Sequence, residues 1–337
     1  MPRTVAIGIQ DFETLIKNNY YYVDKTDFIR EWWENGDGVT LITRPRRFGK
    51  TLTMNMVERF LSLNYAGKGE LFSGLNIWKE EKYRNLQGTC PVISLSFASV
   101  KGSTYEETKA QICQLLADLY IKNDFLKNSG FLAAPEIEYF DRVSKNMPET
   151  NMAVALHKLC DFMQRYYQKK AIILLDEYDT PMQEAYMHGY WDKIVSFTKN
   201  LFNSTFKTNP YLDRAIMTGI TRISKESIFS DLNNLEVVTA TSDKYADVFG
   251  FTQSEVSDSL REFGLSDRED EVRDWYDGFI FGKQTDIYNP WSIINFLDKK
   301  RLSTYWANTS SNSLVGKLVR EGSLDVKLVM EELLNGG

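Results

Sequence analysis

The sequence has few of the side chains that build metal centres or disulfide frameworks. Its 337 residues include three cysteines and two histidines, namely Cys90, Cys113, Cys160, His157 and His188. Their wide spacing excludes a zinc-binding or disulfide framework, and we expect reduced, structural thiols. No run of about 18 apolar residues occurs, and the N-terminus has no apolar core. The sequence therefore predicts neither a membrane span nor a signal peptide, and we expect a cytoplasmic protein.

The sequence also lacks a large excess of positive charge. It has 40 Lys and Arg against 46 Asp and Glu, a formal net charge of −6. This charge argues against a chain that coats nucleic acid by bulk electrostatics, although a local basic groove is compatible with it. The hydrophobic content of 43% and the charged content of 26% are those of an ordinary globular protein. The length allows one large α/β domain and a smaller one.

A basic, glycine-containing loop, residues 43–51 (TRPRRFGKT), stands between a predicted strand and a predicted helix. Residues 39–42 (VTLI) are typical of a short buried strand, and Leu52, Met56 and Phe60 recur at helical spacing. In G-x-x-x-x-G-K-[ST] loops, backbone N–H groups hold nucleotide phosphates, the Lys contacts the β and γ oxygens, and the hydroxyl binds Mg²⁺. The predicted nucleotide-binding residues of this loop are Arg46, Arg47, Phe48, Gly49, Lys50, Thr51 and Leu52, with Thr51 also a Mg²⁺ ligand.

The loop departs from the pattern at its first position, where Arg44 replaces glycine and Pro45 follows. Glycine is normally required where the chain adopts positive φ or approaches a ligand closely. Arg44 therefore predicts either a different turn or a side chain directed away from the phosphates. Arg46 and Arg47 add positive charge around a polyphosphate. The alternative is a solvated basic loop that binds no ligand.

A second motif, residues 171–177 (AIILLDE), places two adjacent carboxylates after five apolar residues. A continuous apolar run suits a strand that is buried on both faces of a parallel sheet. Carboxylates at its carboxyl end fall in the crevice where open α/β sheets bind ligands. Asp176 is the predicted Mg²⁺ ligand, and Glu177, on the opposite side of the strand end, is the predicted base for attack by water. The alternative is that both acids only end a core strand.

The alternation of strands and helices predicts a layered α/β fold with a largely parallel five-stranded sheet, and the two motifs make it a P-loop NTPase fold. The predicted strands cover residues 39–43, 91–97, 171–176, 214–220 and 236–241. We expect an ATPase core over residues 1–244 and a smaller, mainly helical lid domain over 245–337. Aromatic residues between Trp275 and Phe296 predict a compact aromatic core, because too few basic residues accompany them for nucleic-acid binding.

The fourth strand ends in Thr218 and is followed by Thr221 and Arg222. In P-loop ATPases with a catalytic Glu, this strand usually lies between the two motif-bearing strands, so its polar end faces the γ-phosphate. Thr218 is a predicted nucleotide contact, with Thr221 as the other candidate. Arg222 is predicted to stabilise transition-state charge in cis or in a neighbouring subunit. The equally weighted alternative is a surface ion pair of Arg222 with Asp176, Asp231 or Glu226.

Five segments together resemble the bacterial AAA-ATPase-like proteins over nearly the whole chain. They are residues 21–26 (YYVDKT), 44–51, 175–181 (LDEYDTP), 218–229 (TGITRISKESIF) and 275–279 (WYDGF). The resemblance implies a P-loop ATPase of the AAA and signal-transduction branch, and it implies that Arg in place of the first glycine belongs to the family pattern. It also implies that Lys50 and Thr51 bind phosphate and Mg²⁺, that Asp176 binds Mg²⁺, that Glu177 is the base, and that residues 22–26 lie near the adenine.

Family members often continue into a nuclease-like domain of the PD-(D/E)XK type, whereas this chain stops at residue 337. The acid-x-Lys tripeptides at 80–82 and 325–327 do not follow a strand, so we predict no nuclease activity. The chain is then either a truncation or a natural short form.

The leading hypothesis is an ATP hydrolase that uses ATP and Mg²⁺ to act on an unknown protein partner. A nucleotide-dependent switch with little turnover is the alternative, supported by Arg44. A small-molecule kinase is disfavoured, since no pattern in the sequence indicates a binding site for a second substrate. Assembly into a homo-oligomer stays open.

Overall fold

The structure, a computed structural model, describes residues 2–223 and 228–306. Three predicted features extend beyond these ranges. Residues 224–227 of the fourth-strand motif, residues 307–337 of the expected lid domain and the tripeptide at 325–327 all lie outside the described residues.

A five-stranded parallel sheet forms the centre of the molecule, as predicted. Its strands are β1 (Val39–Thr43), β2 (Val92–Ser96), β3 (Ala171–Asp176), β4 (Leu212–Gly219) and β5 (Leu235–Val238). The order across the sheet is β2-β3-β4-β1-β5, and all the pairings are parallel. The fourth strand therefore lies between the two motif-bearing strands, as expected. β5 is shorter than predicted because the chain turns at Thr239, whose N–H donates to Ser242 Oγ at 3.0 Å.

Helices cover both faces of this sheet. They are α1 (Phe12–Lys17), α2 (Asp27–Asn35), α3 (Lys50–Leu61), α4 (Glu81–Leu86), α5 (Tyr105–Lys122), α6 (Ala134–Arg142), α7 (Glu149–Tyr167), α8 (Thr180–His188) and α9 (Trp191–Phe206). Successive β3 residues point to opposite faces: Ile173 packs in the cluster that contains α5, α7 and α9, whereas Ile172 packs in the cluster that contains α3. Every residue of β1 and β3 is buried, since each strand is covered from both sides.

The C-terminal segment, which we define as residues 245–306, contains the expected helices and a small sheet that was not predicted. The helices are α10 (Gln253–Glu262), α11 (Glu269–Tyr276) and α12 (Pro290–Lys299), and the antiparallel strands are β6 (Phe251–Thr252), β7 (Phe279–Phe281) and β8 (Gln284–Tyr288). The predicted N-caps are present, with Thr252 in a capping box and Asn289 accepting from the N–H of Ser292. β6 and β7 have two and three residues, too few for a two-residue periodicity to stand out, and the five residues of β8 (QTDIY) do not alternate between polar and apolar.

The C-terminal segment packs partly into the central core. Tyr245, Val248 and Phe249 belong to the hydrophobic cluster that contains α3, whereas Tyr288 and Phe296 form a separate cluster with the N-terminal Tyr21. The aromatic residues of the segment are thus divided between two cores instead of forming one. The domain boundary at 244/245 stays a prediction. Along the described residues, no helix combines the length and apolar character needed to cross a membrane.

Candidate functional site

The loop between β1 and α3 leaves the start of α3 open to a ligand. Arg47 and Gly49 have left-handed backbone conformations, with φ of 67° and 83°, and Gly49 is the N-cap residue. None of the described side chains caps this helix. The first N–H groups of α3 therefore point into the loop without a side-chain acceptor, which is the arrangement that binds anions at helix N-termini.

Lys50 lies under this loop and holds its shape. Its Nζ donates to the carbonyl oxygens of Arg44 at 2.9 Å and Pro45 at 2.8 Å. An ammonium group has three donors, so one stays available for a phosphate oxygen. Burial lowers the pKa of Lys50, and the nearby charges of Asp176 and Asp179 oppose that shift. The Lys50 amine thus lies close to three carboxylates of the β3 turn and directly beneath the loop.

A hydroxyl and a carboxylate from the two motifs meet beside Lys50. Thr51 Oγ1 donates to Asp176 Oδ2 at 2.7 Å, and Thr218 Oγ1 donates to the other carboxylate oxygen. Asp176 is 6% exposed. Hard oxygen donors of this kind suit Mg²⁺, which keeps several waters and takes one or two protein ligands. The pair fits such an ion, although residues 2–223 and 228–306 hold no cluster of three or more His, Cys, Asp or Glu that could bind a metal without other ligands.

Glu177 follows Asp176 in a left-handed backbone conformation, with φ of 50°. This conformation is uncommon for residues other than glycine, Asn and Asp. The side chain lines the cavity described below, and Oε2 accepts from Thr180 Oγ1 at 3.3 Å. The carboxylate next to Asp176 is therefore directed into a space that a ligand can enter.

Asp179, for which no role was predicted, joins the loop after β4 to the β3 turn by hydrogen bonds. Its Oδ2 accepts from the N–H groups of Ile220 at 3.1 Å and Thr221 at 2.8 Å, and from Thr221 Oγ1 at 2.7 Å. Tyr178 adds a hydrogen bond from its hydroxyl to the carbonyl oxygen of Thr221, 2.8 Å away. A Cβ on Gly219 would lie 2.7 Å from Asp179 Oδ1, so only glycine permits this approach.

The residues predicted at the end of β4 do not reach the cavity. The Thr218 hydroxyl is bonded to Asp176, and the Thr221 hydroxyl is bonded to Asp179. Arg222 is exposed, and none of the three lines the cavity. Asp231, one of the ion-pair partners considered for Arg222, pairs with Lys199 at 3.2 Å. The roles of Thr218 as a nucleotide contact and of Arg222 in catalysis stay predictions.

A cavity of about 470 Å³ opens over the loop. Its lining falls into two chemical groups. The polar group includes Lys50, Thr51, Glu177, Gln183 and Lys101, and the largely apolar group includes Val5, Ile9, Tyr21, Val23, Phe251, Trp291 and Ile294. The second group was not predicted, apart from residues 22–26, because its members come from three distant parts of the chain. Tyr22, Val23 and Lys25 do line the cavity.

The C-terminal segment contacts the loop from outside. The Arg47 guanidinium lies 4.3 Å from the ring centroid of Trp291, and the Arg46 carbonyl accepts from Trp306 Nε1 at 3.0 Å. Phe48 is buried, and its ring packs edge-on against Phe279 with the centroids 4.8 Å apart. Of the predicted nucleotide-binding residues, Arg46 and Arg47 are therefore exposed cations beside the cavity, and Phe48 has its side chain in the core.

The fold and the loop together define a P-loop NTPase-like protein. A family model described as "Predicted AAA-ATPase" matches residues 6–229, well over half of the chain. The chain belongs to this AAA-ATPase-like family, which confirms the resemblance stated above and implies an ATP-related function. The C-terminal segment lies beyond the matched residues.

One curated relative is an "uncharacterized protein in vnfD 5′ region" from Azotobacter chroococcum mcd 1. It is 27% identical over 322 residues, which cover 95% of this chain and 56% of the relative. The chain thus spans little more than half of the length of that protein.

Proposed function

We propose that this protein binds ATP with Mg²⁺ in the cavity above the loop and hydrolyses it to ADP and phosphate. The observation that carries the proposal is the convergence of Lys50, the Thr51–Asp176 pair and Glu177 at the carboxyl edge of one parallel sheet. Each of these groups has a separate task in phosphoryl transfer to water, and two separate motifs supply them.

The polar part of the cavity receives the phosphates. The open N–H groups at the start of α3 and the third donor of Lys50 bind oxygens of the β and γ phosphates. Thr51 and Asp176 hold Mg²⁺, which supplies charge neutralisation at the β and γ oxygens when it is bound. The apolar residues, with Trp291 and Tyr21 among them, supply flat surfaces on which the adenine ring stacks.

Glu177 acts on the attacking water. Its carboxylate accepts a proton from the water as the water oxygen bonds to the γ phosphorus, and the bond from that phosphorus to the β–γ bridging oxygen breaks. The products are ADP and inorganic phosphate. Exposed Arg222 is available to a neighbouring subunit or to a partner, and the hydrolysis cycle acts on that unknown partner through the C-terminal segment.

A switch with little or no turnover is the second candidate. Arg44 in place of the first glycine and the anchoring of Lys50 on its own loop support it, because both give a loop that is shaped before any phosphate arrives. Binding without hydrolysis would then carry the function.

Release of phosphate from ATP with and without Mg²⁺ tests the proposal. Lys50→Ala should lose nucleotide binding, and Glu177→Gln should keep binding while turnover falls by about 100-fold or more. Glu138→Gln, at a 62% exposed side chain on α6, is the matched control and should behave like the parent. A parent that binds ATP without turnover, with Glu177→Gln unchanged from it, would establish the switch. A parent that binds no ATP would overturn both candidates.

A further inference from the structure

Arg44 occupies a junction in the backbone around the loop. Its N–H donates to the carbonyl oxygen of Gly219 at 3.1 Å, so it is tied to the end of β4. Its own carbonyl oxygen accepts from Lys50 Nζ at 2.9 Å. The peptide units on either side of residue 44 therefore connect the lysine that faces the phosphates with the strand that carries Thr218.

The Arg44 side chain leaves the loop and enters the C-terminal segment, as the sequence analysis allowed. It is 1% exposed. One guanidinium nitrogen donates to the carbonyl oxygen of Thr43 at 3.0 Å, and the other donates to that of Tyr245 at 3.3 Å. The guanidinium carbon lies 4.6 Å from the ring centroid of Phe281 and 5.8 Å from that of Phe249. The first position of the phosphate loop is thus fastened to β7 and to the chain at residues 245–249.

Stability alone is a poor explanation for an arginine at this position. No carboxylate of the described residues pairs with it, and its Nε has no hydrogen-bond partner among them. Burial lowers the pKa of the Arg44 guanidinium to about 10, which still leaves it cationic at neutral pH. Replacing a buried charged group with an apolar side chain of similar volume is often neutral or stabilising. The charge and the directed donors therefore point to a function.

We infer that Arg44 is a positioning residue that couples the phosphate loop to the C-terminal segment. A phosphate that binds Lys50 shifts the Arg44 carbonyl, and the guanidinium transmits the shift to Tyr245 and Phe281. By reciprocity, the placement of the C-terminal segment sets the shape and the nucleotide affinity of the loop. The inference rests on the nucleotide binding of the proposed function.

Phe48 offers a parallel contact between the same parts, since its ring also packs on Phe279 and Phe281. That contact is apolar and edge-on, and it includes no hydrogen bond. Arg44 adds hydrogen bonds whose length and angle constrain the loop. A variant at residue 44 that keeps Phe48 separates the two contributions.

Hydrogen exchange of β7 and β8 tests the coupling, because neither strand lines the cavity. We expect a non-hydrolysable ATP analogue with Mg²⁺ to slow exchange there by about fivefold or more in the parent. Arg44→Met should still bind the analogue but lose this response, and Arg44→Lys should restore part of it. If Arg44→Met does not fold, the reduced response in Arg44→Lys carries the test.

Arg214→Met is the matched control. Arg214 also stacks on an aromatic ring, 4.2 Å from the Trp33 centroid, and donates to the Trp33 carbonyl at 2.9 Å, but near the amino end of β4. It should keep the full response. A parent that binds the analogue without a change in β7 and β8, or an Arg44→Met protein that retains the change, would overturn the coupling while leaving the proposed function intact. A parent that binds no nucleotide would overturn both.

Discussion

Replacement of Asp179 should lower the free energy of unfolding much more than replacement of an ordinary surface carboxylate. Asp179 is 1% exposed, and its Oδ2 accepts from two backbone N–H groups, from Thr221 Oγ1 and from Gln183 Nε2 at 2.8 Å. Asp179→Ala removes the acceptor and leaves the two N–H groups of Ile220 and Thr221 unsatisfied. A buried donor without a partner costs about 1–3 kcal/mol, so the gross loss is about 2–6 kcal/mol.

One term opposes this loss. Asp179 Oδ1 is buried and has no hydrogen-bond partner among the described residues, so removing the carboxylate also removes its desolvation penalty. We take that relief as about 1–2 kcal/mol, which leaves a net destabilisation of about 1–4 kcal/mol for Asp179→Ala. Asp179→Asn keeps a neutral acceptor for the same donors, and we expect a loss of about 1 kcal/mol.

Urea unfolding followed by circular dichroism measures these differences at constant m-value. Asp118→Ala, at an exposed residue of α5, is the control and should stay within about 0.5 kcal/mol of the parent. Because Asp179 fastens the loop after β4 to the turn that bears Glu177, turnover should fall in Asp179→Ala while ATP affinity persists. Equal stability of the parent and Asp179→Ala would refute the reasoning, as would equal losses in the Ala and Asn variants.

Three further changes test other parts of the site. Trp291→Ala should weaken ATP binding by about 1–3 kcal/mol, as expected for loss of a base-stacking surface, and should leave inorganic triphosphate binding nearly unchanged; calorimetry with both ligands decides. Gly49→Ala should cost about 1–2 kcal/mol in urea unfolding, because its φ of 83° is left-handed, and equal stability would contradict that strain. Hydrogen bonds from Arg3 lower the pKa of Glu262, so their stabilisation is present above its ordinary pKa of 4.5 and is lost as the pH falls through the folded value. In Glu262→Gln, the free energy of unfolding should fall less as the pH is lowered, which urea unfolding at a series of pH values measures. The same pH dependence in the variant and the parent would argue against a contribution from the Arg3–Glu262 pair.

Much of the sheet was predictable because its central strands are buried on both faces. The apolar runs that become β1 and β3 stand out against the helices around them, and the motif residues at their ends were placed at one edge by the parallel arrangement. The position of β4 between them followed from the resemblance to P-loop ATPases. The small sheet of the C-terminal segment could not be predicted, because β6 and β7 are too short to show a pattern and β8 (QTDIY) does not alternate between polar and apolar residues.

The candidate site was predicted only in part. Local patterns identified Lys50, Thr51, Asp176 and Glu177, since their spacing relative to a strand or a helix is itself the signal. The largely apolar part of the cavity has no such pattern, because Val5, Phe251 and Trp291 are far apart in the chain.

By itself, the sequence determined the fold class, the loop between β1 and α3 and the paired carboxylates, because these depend on short-range order and on burial of apolar runs. Tertiary structure decided where the Arg44 side chain goes, what Asp179 holds and which residues complete the cavity. The physical reason is that each of these depends on contacts between segments distant in sequence. From the sequence, Arg44 is recognised only as a replacement of the first glycine of the loop. The structure shows that its guanidinium contacts Tyr245 and Phe281.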